Sequence, residues 1–314
     1  MGARGVPSLA GSTRPGESAQ HTPVRLALFD AYRLGVVDGE AICDVTSALP
    51  SHDTAWPWPF VARSIAEFDT LRPAIERAAA AAQPRPLSQV RLLPPVPRPS
   101  KIVAAAANYH LHHQEMGGST LQGEVFLKAP SSIVGPGASV RLPNVPGRKI
   151  EHEVELAVVI GRQAKDLRRE EAMRCVFGYT GLMDLTVRGQ GDRSRRKSYD
   201  GFTPLGPWIV TADEIAEPHN LRLRLWNSGE LRQDGNTSDL VDDIPTLLAY
   251  ASSVMTLEPG DILATGTPAG VGPLAGGDTL AIEIERIGRL EVSIEAPQPH
   301  APVAEPGRLR SLAT

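Results

Sequence analysis

Residues 150–163, IEHEVELAVVIGRQ, decide the reading of this chain. In a strand, residues two apart share a face. Glu153 and Glu155 therefore point together, and Ala157 and Val159 continue their face. Val154, Leu156, Val158 and Ile160 take the other. Both faces turn apolar along the segment, which predicts an interior strand. Two adjacent carboxylates there repel each other and lose their water. They must be protonated, paired with bases or bound to a cation. Carboxylate oxygens are hard ligands, suited to Mg²⁺, Mn²⁺ or Ca²⁺ rather than Zn²⁺. The plainer alternative is a strand end reaching solvent with both glutamates hydrated.

Outward from this strand, GYTGLMDLTVRGQ (178–190) places Asp184 at the end of another apolar strand, where an acid serves as a ligand or as a turn residue. With the glutamates it offers a third oxygen. Three carboxylates against a divalent ion leave room for an anionic ligand only if cations help, and Lys128, Arg188 and Lys197 are the candidates. KIVAAAANYHLHHQEMGG (101–118) reads as a strand, a turn at Asn108 and a short helix stopped by Gly117 and Gly118. His112 and Glu115, three apart, share a helical face, so the carboxylate can orient the imidazole as a general base. A solvated helix face is the rival reading. Adjacent helical histidines diverge by ~100°, so His110, His112 and His113 form a poor chelate. The glycines suit a lid. ATGTPAGVGP (264–273) is a tight turn with a Thr hydroxyl and backbone donors, which reads either as a carboxylate cradle or as a plain turn; it lacks the P-loop and dinucleotide signatures. RGQGDRSRRKSYDGF (188–202) reads as a basic, solvated loop.

The whole chain sets the frame. Its 314 residues suit one large domain, or a main domain with a small companion. A net charge of −4 gives no electrostatic reason to expect nucleic acid. Cys43 and Cys175 alone make no disulfide framework, so a reducing compartment, the cytoplasm, is expected. No apolar run approaches a membrane span. Residues 1–23 read as a disordered tail. Residues 24–95 read as a small N-terminal domain, with a hairpin from Val24, a helix over Phe60–Ala82 and a connector whose prolines lie at 84, 86, 94, 95, 97 and 99. Residues 99–296 read as many short strands with few helices, a β-dominated core. Residues 297–314 read as a loose tail.

In this order, NYHLHHQE, FLKAPSSIVGPG, HEVELAVVIG, GYTGLMDLTVRGQ, RKSYDGFTPLGPWIVTADEI, NSGELRQDGNTSDL and LEPGDILATGTPAGVG resemble the fumarylacetoacetate hydrolase family, over about residues 99–295. The resemblance implies a mixed α/β, β-dominated fold: a β-roll catalytic domain, usually dimeric, binding Mg²⁺ or Mn²⁺. By position it puts the metal on Glu153, Glu155 and Asp184, and the family's histidine–glutamate pair on His112 and Glu115. Lys197 joins that pair as catalytic, and Lys128, Arg188, Gln233 and Thr267 fall on substrate-binding or charge-balancing positions. The implied reaction is hydrolysis of a C–C bond in an acylpyruvate-like 2,4-dioxo acid. His112 would activate water, and the departing carbanion would be held as a metal-bound enolate. Oxaloacetate-type decarboxylation and hydroxydienedioate isomerisation fit the same residues. A non-catalytic metabolite-binding protein is a further alternative, against which the intact His112/Glu115 pair speaks. The spacing after Arg188 is shorter than is common in the family, AAAANYH replaces a small-and-polar approach to the asparagine, and the first ~95 residues match weakly.

Overall fold

A computed structural model of the chain describes residues 24–49, 57–115 and 124–298. The expected N-terminal tail, the glycine stop at Gly117–Gly118 and all but the first two residues of the C-terminal tail lie outside the described residues. Among the described residues no helix is long and apolar enough to cross a membrane.

The fold is mixed and β-dominated, as expected. Strand Val154–Ile160 is interior: it pairs antiparallel with Val176–Met183 on one side and Ile262–Ala264 on the other. The large sheet continues beyond Val176–Met183 to Thr203–Thr211, Arg25–Phe29, Arg33–Asp38 and Ala41–Asp44. Beyond Ile262–Ala264 it continues to Ile102–Ala105 and Val125–Lys128. The N-terminal hairpin therefore extends the same sheet as the segment after the prolines, through Leu26 opposite Ile209.

The alternation read from the sequence sorts this strand between two cores. Val154, Leu156, Val158 and Ile160 pack with Leu223, Leu225, Ile282 and Leu290 of a five-stranded sheet. Ala157 and Val159 pack on the opposite side with Ile65, Phe68 and Ile75. These belong to two helices, Pro57–Ala66 and Phe68–Ala81, where the sequence suggested one. Burying both faces removes the whole strand from water, and the hydrophobic gain of that burial fixes its register.

The segment read from the sequence as one interior strand within residues 150–163 breaks at Glu153. Ile150–His152 joins a separate small sheet with Thr186–Val187 and Gly272–Pro273. The physical reason is a contact from far along the chain. The Val154 N–H, just past the break, donates to the side chain of Gln233 at 3.1 Å. The sheet opens there, beside both glutamates.

Candidate metal centre and cleft

Glu153, Glu155 and Asp184 each offer one oxygen to a cluster in which all three atoms lie within 4.8 Å of one another. All three residues are buried. Asp184 follows the last residue of Val176–Met183, and its N–H donates to the Glu153 carbonyl at 2.9 Å, tying the two strand ends together. Two buried lysines come in from elsewhere. Lys128, ending the edge strand Val125–Lys128, donates to Asp184 and to the carbonyls of Lys197 (2.6 Å) and Phe202 (3.1 Å). Lys197 donates to Glu153 and Asp184, 2.6 Å each. Arg188 pairs with Glu151; its Nη2 lies 2.8 Å from Glu153 Oε1 as an ion pair not aimed for a hydrogen bond.

The two glutamates differ electrically. Burial pushes the Glu153 carboxyl up, but Lys197 and Arg188 outweigh it and hold the group at about 2. Glu155 has no ion pair with any described lysine or arginine. Burial, then Asp184, drives it well above the ordinary carboxylate range, against the field of Lys197 and the Gly266 N–H that donates to it at 2.8 Å. Lys197 is raised: burial lowers it, and Asp184 and Glu153 more than reverse this. Lys128 is lowered by burial despite Asp184.

This donor set fits a hard divalent ion. Three oxygens this close suit Mg²⁺ or Mn²⁺, and Glu155 lacks just the cation that would ionise it. An ammonium, that of Lys197, already bridges the other two acids.

His112 sits on the helix His110–Glu115, buried, with its Nδ1 3.0 Å from Glu115 Oε2. A carboxylate only accepts, so Nδ1 carries the proton and Nε2 is left as the base. The helix is positioned by Asn108, whose side chain donates to the carbonyls of Asp242 and Thr265 and accepts from the Asp242 N–H. Gly266 lies against it: φ is +99°, and a Cβ there would come 2.8 Å from the Asn108 Cβ, so only glycine fits. The 264–273 turn is indeed a carboxylate cradle, but the carboxylate it holds is the protein's own Glu155.

A cleft joins these parts. His112, Glu153, Glu155, Arg188, Lys197 and Thr267 all line it. Asp184 and Lys128 lie beneath. Gln233 is fully buried and saturated: Oε1 accepts from Val154 and faces His152 Nδ1 at 3.3 Å, and Nε2 donates to Thr267 Oγ1 and the Pro268 carbonyl, 2.8 Å each. It reaches the cleft only through Thr267. Sequence reasoning passed over Arg193 and Arg196, which also line the cleft. The available signal was their spacing of three within RSRR, which puts both on one face of the short helix Arg193–Arg196.

A buried carboxylate trio, balanced by lysines and faced by an oriented histidine, defines a metal-dependent enzyme acting on a small anionic molecule. The chain belongs to the fumarylacetoacetate hydrolase family: residues 101–295 match the model for the fumarylacetoacetate (FAA) hydrolase C-terminal domain. It is 44% identical over 289 residues to maleylpyruvate hydrolase of Aquipseudomonas alcaligenes, covering 87% of this chain and 100% of that one. The crystal structure of maleylpyruvate hydrolase from Sphingobium sp. SYK-6, in complex with manganese(II) and pyruvate, superposes with a TM-score of 0.81 at 47% identity, covering 87% of this chain and 100% of that one. The 2-hydroxyhepta-2,4-diene-1,7-dioate isomerase of Mycobacterium marinum superposes with a TM-score of 0.68 at 32% identity, covering 87% and 98%.

Proposed function

We propose that this chain is a Mg²⁺- or Mn²⁺-dependent hydrolase that cleaves a C–C bond in an acylpyruvate-like 2,4-dioxo acid, such as maleylpyruvate. The observation that carries this is the cleft lined by His112, Glu153 and Glu155, with the third acid of the cluster, Asp184, beneath them. Glu153, Glu155 and Asp184 hold the ion, which, when bound, supplies Lewis-acid stabilisation of the negative charge developing on the pyruvyl half. His112 Nε2 takes a proton from water, whose oxygen adds to the C4 carbonyl. Glu115 keeps the imidazole in that tautomer and offsets the charge it gains. The C3–C4 bond then breaks, its electron pair passes into the pyruvyl half as an enolate, and the proton taken by His112 is returned, giving pyruvate and a carboxylic acid. Lys197 and Arg188 offset the charge of the acids and of the bound substrate. Thr267 offers its hydroxyl to the cleft, and Gln233 positions it. Lys128 neutralises Asp184 from below.

The reading extends to a cytoplasmic homodimer serving aromatic catabolism, with small 2-oxo acids rather than nucleic acid or membrane as partners. Isomerisation of a hydroxydienedioate is the second reading, favoured by the likeness to the mycobacterial isomerase. The test is pyruvate release from maleylpyruvate and simpler acylpyruvates with Mg²⁺ or Mn²⁺, with and without chelator. Chelator-sensitive release is expected. Substrate isomerised without release would favour the second reading, and no turnover of any 2-oxo acid would sink both.

A further inference from the structure

Thr267 lines the cleft, and its hydroxyl could in principle either donate or accept there. Which it does is decided behind it, at Gln233. The Val154 N–H can only donate, and it meets Gln233 Oε1 at 3.1 Å. The Pro268 carbonyl can only accept, and it meets Gln233 Nε2 at 2.8 Å. Both contacts fix the amide the same way round, so Nε2 donates to Thr267 Oγ1, also at 2.8 Å. Among the described residues nothing accepts the Thr267 proton, which is left to the cleft.

His152 shares the same amide oxygen. Its Nδ1 lies 3.3 Å from Gln233 Oε1, and because that oxygen accepts, Nδ1 carries the proton. The side chain is fully buried; Gly272 pairs opposite it, and a Cβ there would come 3.2 Å from His152 Nε2. Nε2 has no hydrogen-bond partner among the described residues. A buried ring nitrogen without a partner costs stability that an apolar side chain of the same volume would keep. What the histidine offers instead is the Nδ1–H on Gln233. A flipped amide would set its NH₂ against that N–H and the Val154 N–H, and its oxygen against the Pro268 carbonyl.

We infer that His152 is a positioning residue: through Gln233 it locks the Thr267 hydroxyl as a donor, so that the cleft presents it only to an oxygen lone pair of the bound acid. This rests on the 2-oxo acid reading above and adds a residue behind the site that acts without touching the substrate. His152 adjoins Glu153 in the chain, so its effect has to be separated from metal binding.

Calorimetry makes that separation without turnover, titrating Mn²⁺ first and then pyruvate, the product common to all acylpyruvates. Thr267→Val should lower pyruvate affinity about tenfold, as expected for a lost hydrogen bond to a charged acceptor. His152→Phe should lower it about fivefold and Gln233→Met at least as much, while Mn²⁺ affinity in all three stays within about threefold of the parent. The double variants decide. If His152 and Gln233 act through Thr267, adding His152→Phe or Gln233→Met to Thr267→Val should change pyruvate affinity by less than about twofold. His152→Asn, whose amide N–H can take the place of Nδ1–H, should recover most of the loss. His152→Leu replaces His152→Phe if the latter fails to bind Mn²⁺. Losses that multiply in the double variants, or a parental pyruvate affinity in His152→Phe, overturn the inference alone. So does Mn²⁺ affinity that falls in step with pyruvate affinity in both His152→Phe and His152→Leu, which would assign the histidine to the metal strand. A parent protein that binds Mn²⁺ but no pyruvate defeats it together with the reading it rests on.

Discussion

The floor of the cleft and its rim are built on different physics. On the floor, Glu153, Glu155 and Asp184 sit where two sheets part, each no more than 3% exposed, and their positions are fixed by strand pairing and by two buried lysines. At the rim, His112 rides on a six-residue helix, and the side chain of its partner Glu115 is 36% exposed. The floor is electrically committed: its charges are set by burial and by the buried cations beside them. Asn108 anchors the start of the rim helix, and the His112–Glu115 pair itself has one mutual hydrogen bond and a long contact, 3.4 Å, from the Gly270 N–H to Glu115. The difference predicts that floor substitutions change metal binding and stability together, each with a sign set by its neighbours, whereas rim substitutions strike the reaction alone.

The largest effect expected is on the floor. Glu155→Gln should reduce metal-dependent turnover to background, a loss of at least about a thousandfold, since Lewis-acid stabilisation is worth several kcal/mol. Calorimetry should find the Mn²⁺ affinity lost with it; full affinity in the variant would remove Glu155 from the ligand set. At the rim, His112→Ala should cost about 10²–10⁴ in hydrolysis. Its Mn²⁺ affinity should stay close to that of the parent protein. A matching drop in metal affinity would erase the distinction between floor and rim, and unchanged turnover would end the role of His112 as base.

How much of this was legible in the sequence follows the same division. The floor strand could be read from alternation, because burial on both faces leaves an apolar record residue by residue: Val154, Leu156, Val158 and Ile160 fell on the predicted side. The break at Glu153 left no such record. It depends on Gln233, nearly eighty positions along the chain, accepting the Val154 N–H, and no local pattern encodes a hydrogen bond at that range. Gln233 was placed among the substrate-binding positions by the family resemblance alone; only the partners of all its polar atoms expose it as a clamp. The rim pair showed as spacing alone, and the family resemblance separated it from a solvated face. Arg196 was hidden by composition, since a run of arginines reads as solvent-exposed until the fold turns one of them inward.

Two stability predictions sharpen the floor further, both in chelator. Glu153 is held near 2 against an unfolded value near 4.5, so its ionisation stabilises the fold above the unfolded value and that contribution is lost as pH falls toward 2. Glu153→Gln should therefore destabilise the metal-free protein at neutral pH by on the order of 3 kcal/mol, and the deficit should shrink on acidification from about pH 4.5. Denaturant unfolding at several pH values reads it; a deficit independent of pH would assign the loss to packing. Gln233→Leu, which leaves the buried Val154 N–H without an acceptor, should cost about 1–3 kcal/mol. An unchanged midpoint would mean that the break at Glu153 holds without its clamp.

The smallest effect has the opposite sign, which makes it the most discriminating. Glu155 has its pKa raised, so in the metal-free protein its contribution is present below the unfolded value and is lost as pH climbs above it. A neutral side chain of the same shape escapes that loss. Glu155→Gln, the variant that abolishes turnover, should then unfold at a slightly higher temperature than the parent in chelator at neutral pH, a gain of about 1 kcal/mol or a few degrees. Adding Mn²⁺ should reverse the order, because binding to the folded state stabilises only the protein that retains the ligand. Two glutamates on one face of one strand would then differ in the sign of their effect on stability. The cause lies in their neighbours: Lys197 and Arg188 pair directly with Glu153, whereas Glu155 has no ion pair among the described residues and gains only the longer-range field of Lys197 and the Gly266 N–H. If Glu155→Gln is destabilising without metal, the strand carries two equivalent acids, and the electrical asymmetry of the floor falls.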